Sequence, residues 1–124
     1  MFKFRQECEN DSIEYKENIL YMDKNKFDRY ITQMNNRLFF GGGNCHYFIG
    51  LSDNGEIIGL KSWELLISLF NLLSIIDKLK VKCKNIKMLF FNQVKSYILV
   101  VNIYSQDKKY SSPEFITYSE SDNE

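Results

Sequence analysis

Residues 62–79 read SWELLISLFNLLSIIDKL, a run without glycine or proline that is apolar at nearly every helical turn. Leu65, Leu66, Leu69, Leu72, Leu73 and Ile76 recur at helical spacing and make a stripe that must be covered. Ser62 is placed to cap this helix, which is expected over Trp63 to about Leu79. Its apolar stretch, Leu65 to Ile76, is interrupted by Ser68, Asn71 and Ser74 and falls well short of the roughly 18–20 residues needed to span a bilayer. The stripe must therefore lie on a sheet. At about 1.5–3 kcal/mol per large side chain buried, it supplies a major part of one core. Ile67, Phe70 and Ile75 fall outside the stripe, so either the helix is covered on two sides or these residues form an interface with a protein partner or a second copy of the chain.

The rest of the sequence supplies that sheet. Ile13 to Tyr21 reads as a first strand, and Asp23 can cap a helix carrying Phe27, Ile31, Met34 and Leu38 at helical spacing. Gly41-Gly42-Gly43 stops that helix. His46–Leu51 and Glu56–Leu60 read as antiparallel strands around an Asp53-Asn54-Gly55 turn. Val81–Phe91 and Tyr97–Tyr104 are the last strands, joined through Asn92–Ser96. The expected fold is α/β (α+β): β-α-β-β-α-β-β, a mixed sheet with both helices on one face. Residues 1–12 are a polar N-terminal segment and 13–105 a single α/β domain, since 124 residues suffice for one core only. Residues 106–124 read as a disordered, acidic tail.

Sixteen basic and sixteen acidic residues cancel, so no global field draws the chain to nucleic acid or to an acidic membrane. Cys8, Cys45 and Cys83 are odd in number and widely spaced, which argues for reduced thiols and a cytoplasmic setting. No apolar signal core opens the sequence. Lysine far outnumbers arginine, and alanine and proline are scarce, the codon bias of an AT-rich genome such as that of a large DNA virus or a parasitic microbe.

Three motifs bear on chemistry. The glycines 41–43 do not form a phosphate loop, because they lead from a helix into a strand and no G-x-x-x-x-G-K-[ST] pattern is present. Nucleotide binding is thus not expected. Cys45 and His46 are strand neighbours that point to opposite faces, so they do not form a thiol–imidazole pair. Glu9, Glu14 and Asp53 converge if the first strand pairs beside the 53–55 turn. Converging carboxylates bind Mg²⁺ or Mn²⁺ and can activate water against a phosphodiester, with Lys16 the nearest group to hold a phosphate. Alternatively, Asp53 is ordinary turn chemistry and Glu14 pairs with a lysine.

Ile13-Glu-Tyr-Lys16, Thr32-Gln-Met-Asn-Asn-Arg-Leu38, the glycine cluster, Tyr47 through Gly55 and Gly59-Leu60 together resemble the N-terminal domain of the GTP-binding protein 1/2 family of translational GTPases. The resemblance runs in one register over about residues 12 to 80, where that family's GTPase domain has not begun. It implies a non-catalytic interaction domain acting around translation or RNA, with ribosome-, tRNA- or RNA-turnover-associated partners and no cofactor. A fainter resemblance, to Schlafen and AlbA-like domains, rests on Glu9 through Lys16 and Ile49 through Asp53. It implies a second possibility: a metal-dependent endoribonuclease on structured RNA, with Glu9, Glu14 and Asp53 as catalytic metal ligands. A structural subunit of a larger assembly is a third.

Overall fold

The computed structural model describes residues 2–111. Its elements are β1 (Ile13–Lys16), α1 (Lys24–Phe40), β2 (Asn44–Ile49), α2 (Ser62–Leu79), β3 (Lys82–Phe91), β4 (Ser96–Tyr104) and a 3₁₀ turn at Lys108–Tyr110. The sheet order is β1-β2-β4-β3. β1 runs parallel to β2, as a strand–helix–strand crossover requires, and the other pairs are antiparallel. The architecture is α+β with a mixed sheet, as expected, though the sheet has four strands rather than five.

Both helices cover the same face. Tyr30, Met34 and Leu38 of α1 and Leu65, Leu72, Ile75 and Ile76 of α2 pack on Cys45, Tyr47, Ile49, Leu99, Val101 and Ile103. α1 starts where the sequence indicates, with the Asp23 carboxylate accepting the Lys26 N–H at 2.8 Å. It ends at the glycines: the Gly43 N–H donates to the Leu38 carbonyl at 2.8 Å from a backbone at φ 100°. On the other face, Tyr15, Leu51, Ile57 and Ile98 form a smaller core that the N-terminal segment closes. There Phe4 lays its ring against Phe48 and Phe91, with centroids 5.7 and 6.1 Å apart. Among the described residues, no helix is long and apolar enough to cross a membrane.

Four expectations need correction. Glu56–Leu60 is not a strand. It contributes only single bridges, Leu51 to Ile57 and Leu60 to Tyr97, because Gly55 and Gly59, both at positive φ, turn the chain at either end. The first strand stops at Lys16. The cap of α2 is Lys61, whose N–H donates to the Glu64 carboxylate at 2.8 Å, and Ser62 is already helical. The buried face of α2 is rotated from the stripe read in the sequence. Ser68 Oγ accepts the Ile19 N–H at 3.0 Å and Asn71 Nδ2 donates to the Ile19 carbonyl at 2.7 Å. That tether brings Ser68 and Ile75 inward and leaves Leu66 and Leu73 exposed. Of the three residues assigned to a partner interface, Ile75 is fully buried in the core, whereas Ile67 and Phe70 are exposed.

The polar tail does not begin at Gln106. Residues Lys108–Tyr110 form a turn, and Tyr110 is buried against Phe39, its hydroxyl donating to Asn35 Oδ1 at 2.6 Å. The acidic end of the chain lies outside the described residues.

Candidate functional site

Among the described residues, Arg37 organises an end of the fold where acidic groups gather. It occupies the buried face of α1, three residues after Met34 and next to Leu38, so its stem lies in the core while its guanidinium reaches the N-terminal segment. Nε donates to Glu14 Oε1 at 3.0 Å. Nη1 donates to the carbonyls of Cys8, Glu9 and Asp11 at 2.7, 3.2 and 2.9 Å and meets the Asp11 carboxylate at 3.2 Å. Nη2 lies 3.6 Å from Glu7 Oε2. One buried cation thus fastens residues 7–14 to the body of the domain.

Glu14 is the buried partner of that cation. On β1 its side chain points to the helix side of the sheet, and its second oxygen lies 3.5 Å from Lys16 Nζ. Lys16 in turn donates to Gln33 Oε1 at 2.7 Å and covers the Tyr30 ring at 4.2 Å from its centroid. Glu7 closes the group. Its carboxylate accepts the Tyr15 N–H at 2.6 Å and adjoins Glu14. Burial and the neighbouring Glu14 charge push the Glu7 carboxyl up to about 7, against the Tyr15 N–H and Arg37, which favour its charge. Burial also opposes the charge on Asp11, but the Ile13 N–H and Arg5 outweigh it and hold that carboxyl below its usual range.

Above these groups is an open cleft of about 420 Å³, lined by Glu7, Glu9, Glu14, Gln33, Asn36 and Arg37 among others. Glu9 is exposed on its rim. Asp53 does not line it. It is exposed at its turn, where its backbone carbonyl accepts the Glu7 N–H at 2.8 Å. The expected triad of Glu9, Glu14 and Asp53 is therefore not assembled at one point. Among the described residues, no three His, Cys, Asp or Glu side chains are arranged to hold a metal ion. Glu14 is paired with a cation, as its alternative reading had it, but with Arg37 before Lys16. Lys16 is not among the residues that line this cleft, and its ammonium is engaged three ways.

Glu7 and Arg37 were not among the residues singled out in the sequence. Arg37 stands at a polar-looking position beside the helical stripe. Its one available signal was a cation at a helical spacing that faces inward, seven residues after Tyr30 and three after Met34.

The sequence model of the family described as Schlafen, AlbA_2 matches residues 9–123. The chain is also 38% identical over 72 residues to GTP-binding protein 2 of Mus musculus and of Homo sapiens. That alignment covers 58% of this chain but only 12% of either relative. No solved structure matches.

Proposed function

Because the chain belongs to the Schlafen, AlbA_2 family, we propose that it is a non-catalytic binding domain that acts around translation or RNA. The observation that carries this reading is the pairing of Glu14 with Arg37 at 3.0 Å in the interior. A carboxylate balanced by a buried guanidinium holds the N-terminal segment in place and has no net charge left for a divalent cation. Asp53 is tied through its backbone to the same segment and belongs to the turn. The likeness to a short stretch of GTP-binding protein 2 supports a role beside factors of that kind, and it reaches only a small part of those proteins.

A second reading, a divalent-metal-dependent endoribonuclease, has the open cleft with Glu7, Glu9 and Glu14 in its favour. Among the described residues the carboxylates do not fit a metal set, because Glu14 is paired with Arg37 and Asp53 lies away from the cleft. Recovery of partners from cell extract on the immobilised domain, with and without RNase treatment, tests the leading reading. Ribosomal or tRNA-associated factors, or RNA itself, are expected in the eluate. An eluate holding neither would overturn it.

A further inference from the structure

Among the described residues, the sheet face turned away from the helices is covered at one end, by the N-terminal segment. Residues of β2, β4 and β3 that share this face lie in register as three rows: Asn44–Tyr104–Lys82, His46–Asn102–Asn85 and Phe48–Val100–Lys87. Phe4 covers the Phe48 end, where the smaller core lies. The other two rows continue past that cover. Lys82, Asn85 and Lys87 are exposed, and His46, Asn85, Lys87, Val100 and Asn102 line a pocket of about 70 Å³.

Asn102 is the unusual group in that pocket. Its Oδ1 is shielded from solvent and has no hydrogen-bond partner among the described residues. Native proteins seldom leave a buried amide atom unpaired, and a small rotation of the Asn102 amide into the pocket it lines would let a bound ligand satisfy it. The groups around it define that partner. Asparagine amides present a donor beside an acceptor, matching the edge of a nucleobase. Tyr104, two residues along β4 and on the same face, offers an aromatic ring on which a base can stack. Lys82 and Lys87 flank the row at the spacing of a sheet face, and residues 78–106 contain lysines but no aspartate or glutamate. The chain is neutral overall, yet this edge of the sheet is cationic while the carboxylates gather beside β1.

We propose that this face binds single-stranded RNA, with one base stacked on Tyr104, its edge paired to Asn102 and Asn85 beside His46, and its phosphates held by Lys82 and Lys87. Duplexed bases are excluded, because their edges are already paired. The inference rests on the RNA side of the proposed function and assigns it a surface distinct from the acidic cleft.

The test is an amide and side-chain NMR titration of the full chain with a single-stranded adenosine oligoribonucleotide of about ten nucleotides. Shifts confined to Tyr104, Asn102, Asn85, His46, Lys82 and Lys87 are expected, with binding that weakens as salt rises. Asn102→Leu and the exposed Asn85→Ala should each weaken binding about tenfold or more while leaving the remaining spectrum unchanged. If Asn102→Leu does not fold, Asn85→Ala carries the test alone. RNA that binds but shifts residues of the acidic cleft, or variants that bind as the parent does, would overturn this site and leave the RNA reading standing. No RNA binding, with translation factors still recovered after RNase treatment, would overturn the site and make the partner a protein.

Discussion

Replacing Arg37 by methionine keeps the length of the stem and removes the guanidinium. Glu14 then remains buried with only Lys16 at 3.5 Å, and the carbonyls of Cys8, Glu9 and Asp11 lose the donor that holds them. Breaking one side of a buried ion pair costs about 3–5 kcal/mol, most of it from the stranded charge. For a domain of this size that corresponds to a melting temperature lower by roughly 10–20 °C. Adding Glu14→Gln removes the stranded charge and should return about 1 kcal/mol or more, a coupling that a double-mutant cycle measures directly. Thermal melts by circular dichroism give the stability. Limited proteolysis should show cleavage within residues 5–12 of Arg37→Met well before the parent. A variant that melts within about 2 °C of the parent, with an equally protected N-terminal segment, would refute the claim that Arg37 fastens that segment.

Other consequences follow from the same geometry. Gly55 is at φ 85°, and a Cβ there would collide with the Phe4 and Arg5 carbonyls, so Gly55→Val should cost more than about 1 kcal/mol in thermal melts. Phe70→Glu should leave the fold intact, because Phe70 is 71% exposed, and should disrupt any association through α2 seen by sedimentation. Ile75→Glu, by contrast, should unfold the domain. Glu7 has its carboxyl raised from 4.5 to about 7 in the fold, so the folded state binds the proton more tightly than the unfolded chain. Stability is then fullest below about pH 4.5 for this group and falls as pH rises toward 7. Partial solvent access to the pair limits that loss to about 1–2 kcal/mol. Glu7→Gln should flatten the fall in denaturant titrations run across that range, and an unchanged slope would contradict the Glu7–Glu14 pairing.

Local chemistry made much of the fold readable. Asp23 accepts the Lys26 N–H, the glycines 41–43 stop α1, and the periods of both helices lie where their apolar residues indicate. Long-range contacts hid the rest. A helix whose sequence is apolar around most of its circumference can bury any of several stripes, and the tether of Ser68 and Asn71 to Ile19 selects one. Glu56–Leu60 follows a turn signal as a hairpin partner would, yet the glycine turns at either end leave it only two isolated bridges, to Leu51 and to Tyr97. At the candidate site the spacing of Glu9 and Glu14 pointed to the acidic end of β1. It could not show that a cation from α1, 23 residues after Glu14, enters beneath them, nor that Asp53 faces elsewhere. The row of His46, Asn102 and Asn85 depends on the register of three strands and has no signature within any one of them.

The most direct test of the central claim is incubation of the purified domain with folded tRNA in Mn²⁺ and, separately, Mg²⁺, followed by denaturing electrophoresis. Intact RNA is expected at every time point, with Glu14→Gln indistinguishable from the parent. Metal-dependent cleavage that Glu14→Gln abolishes while the variant remains folded would contradict it.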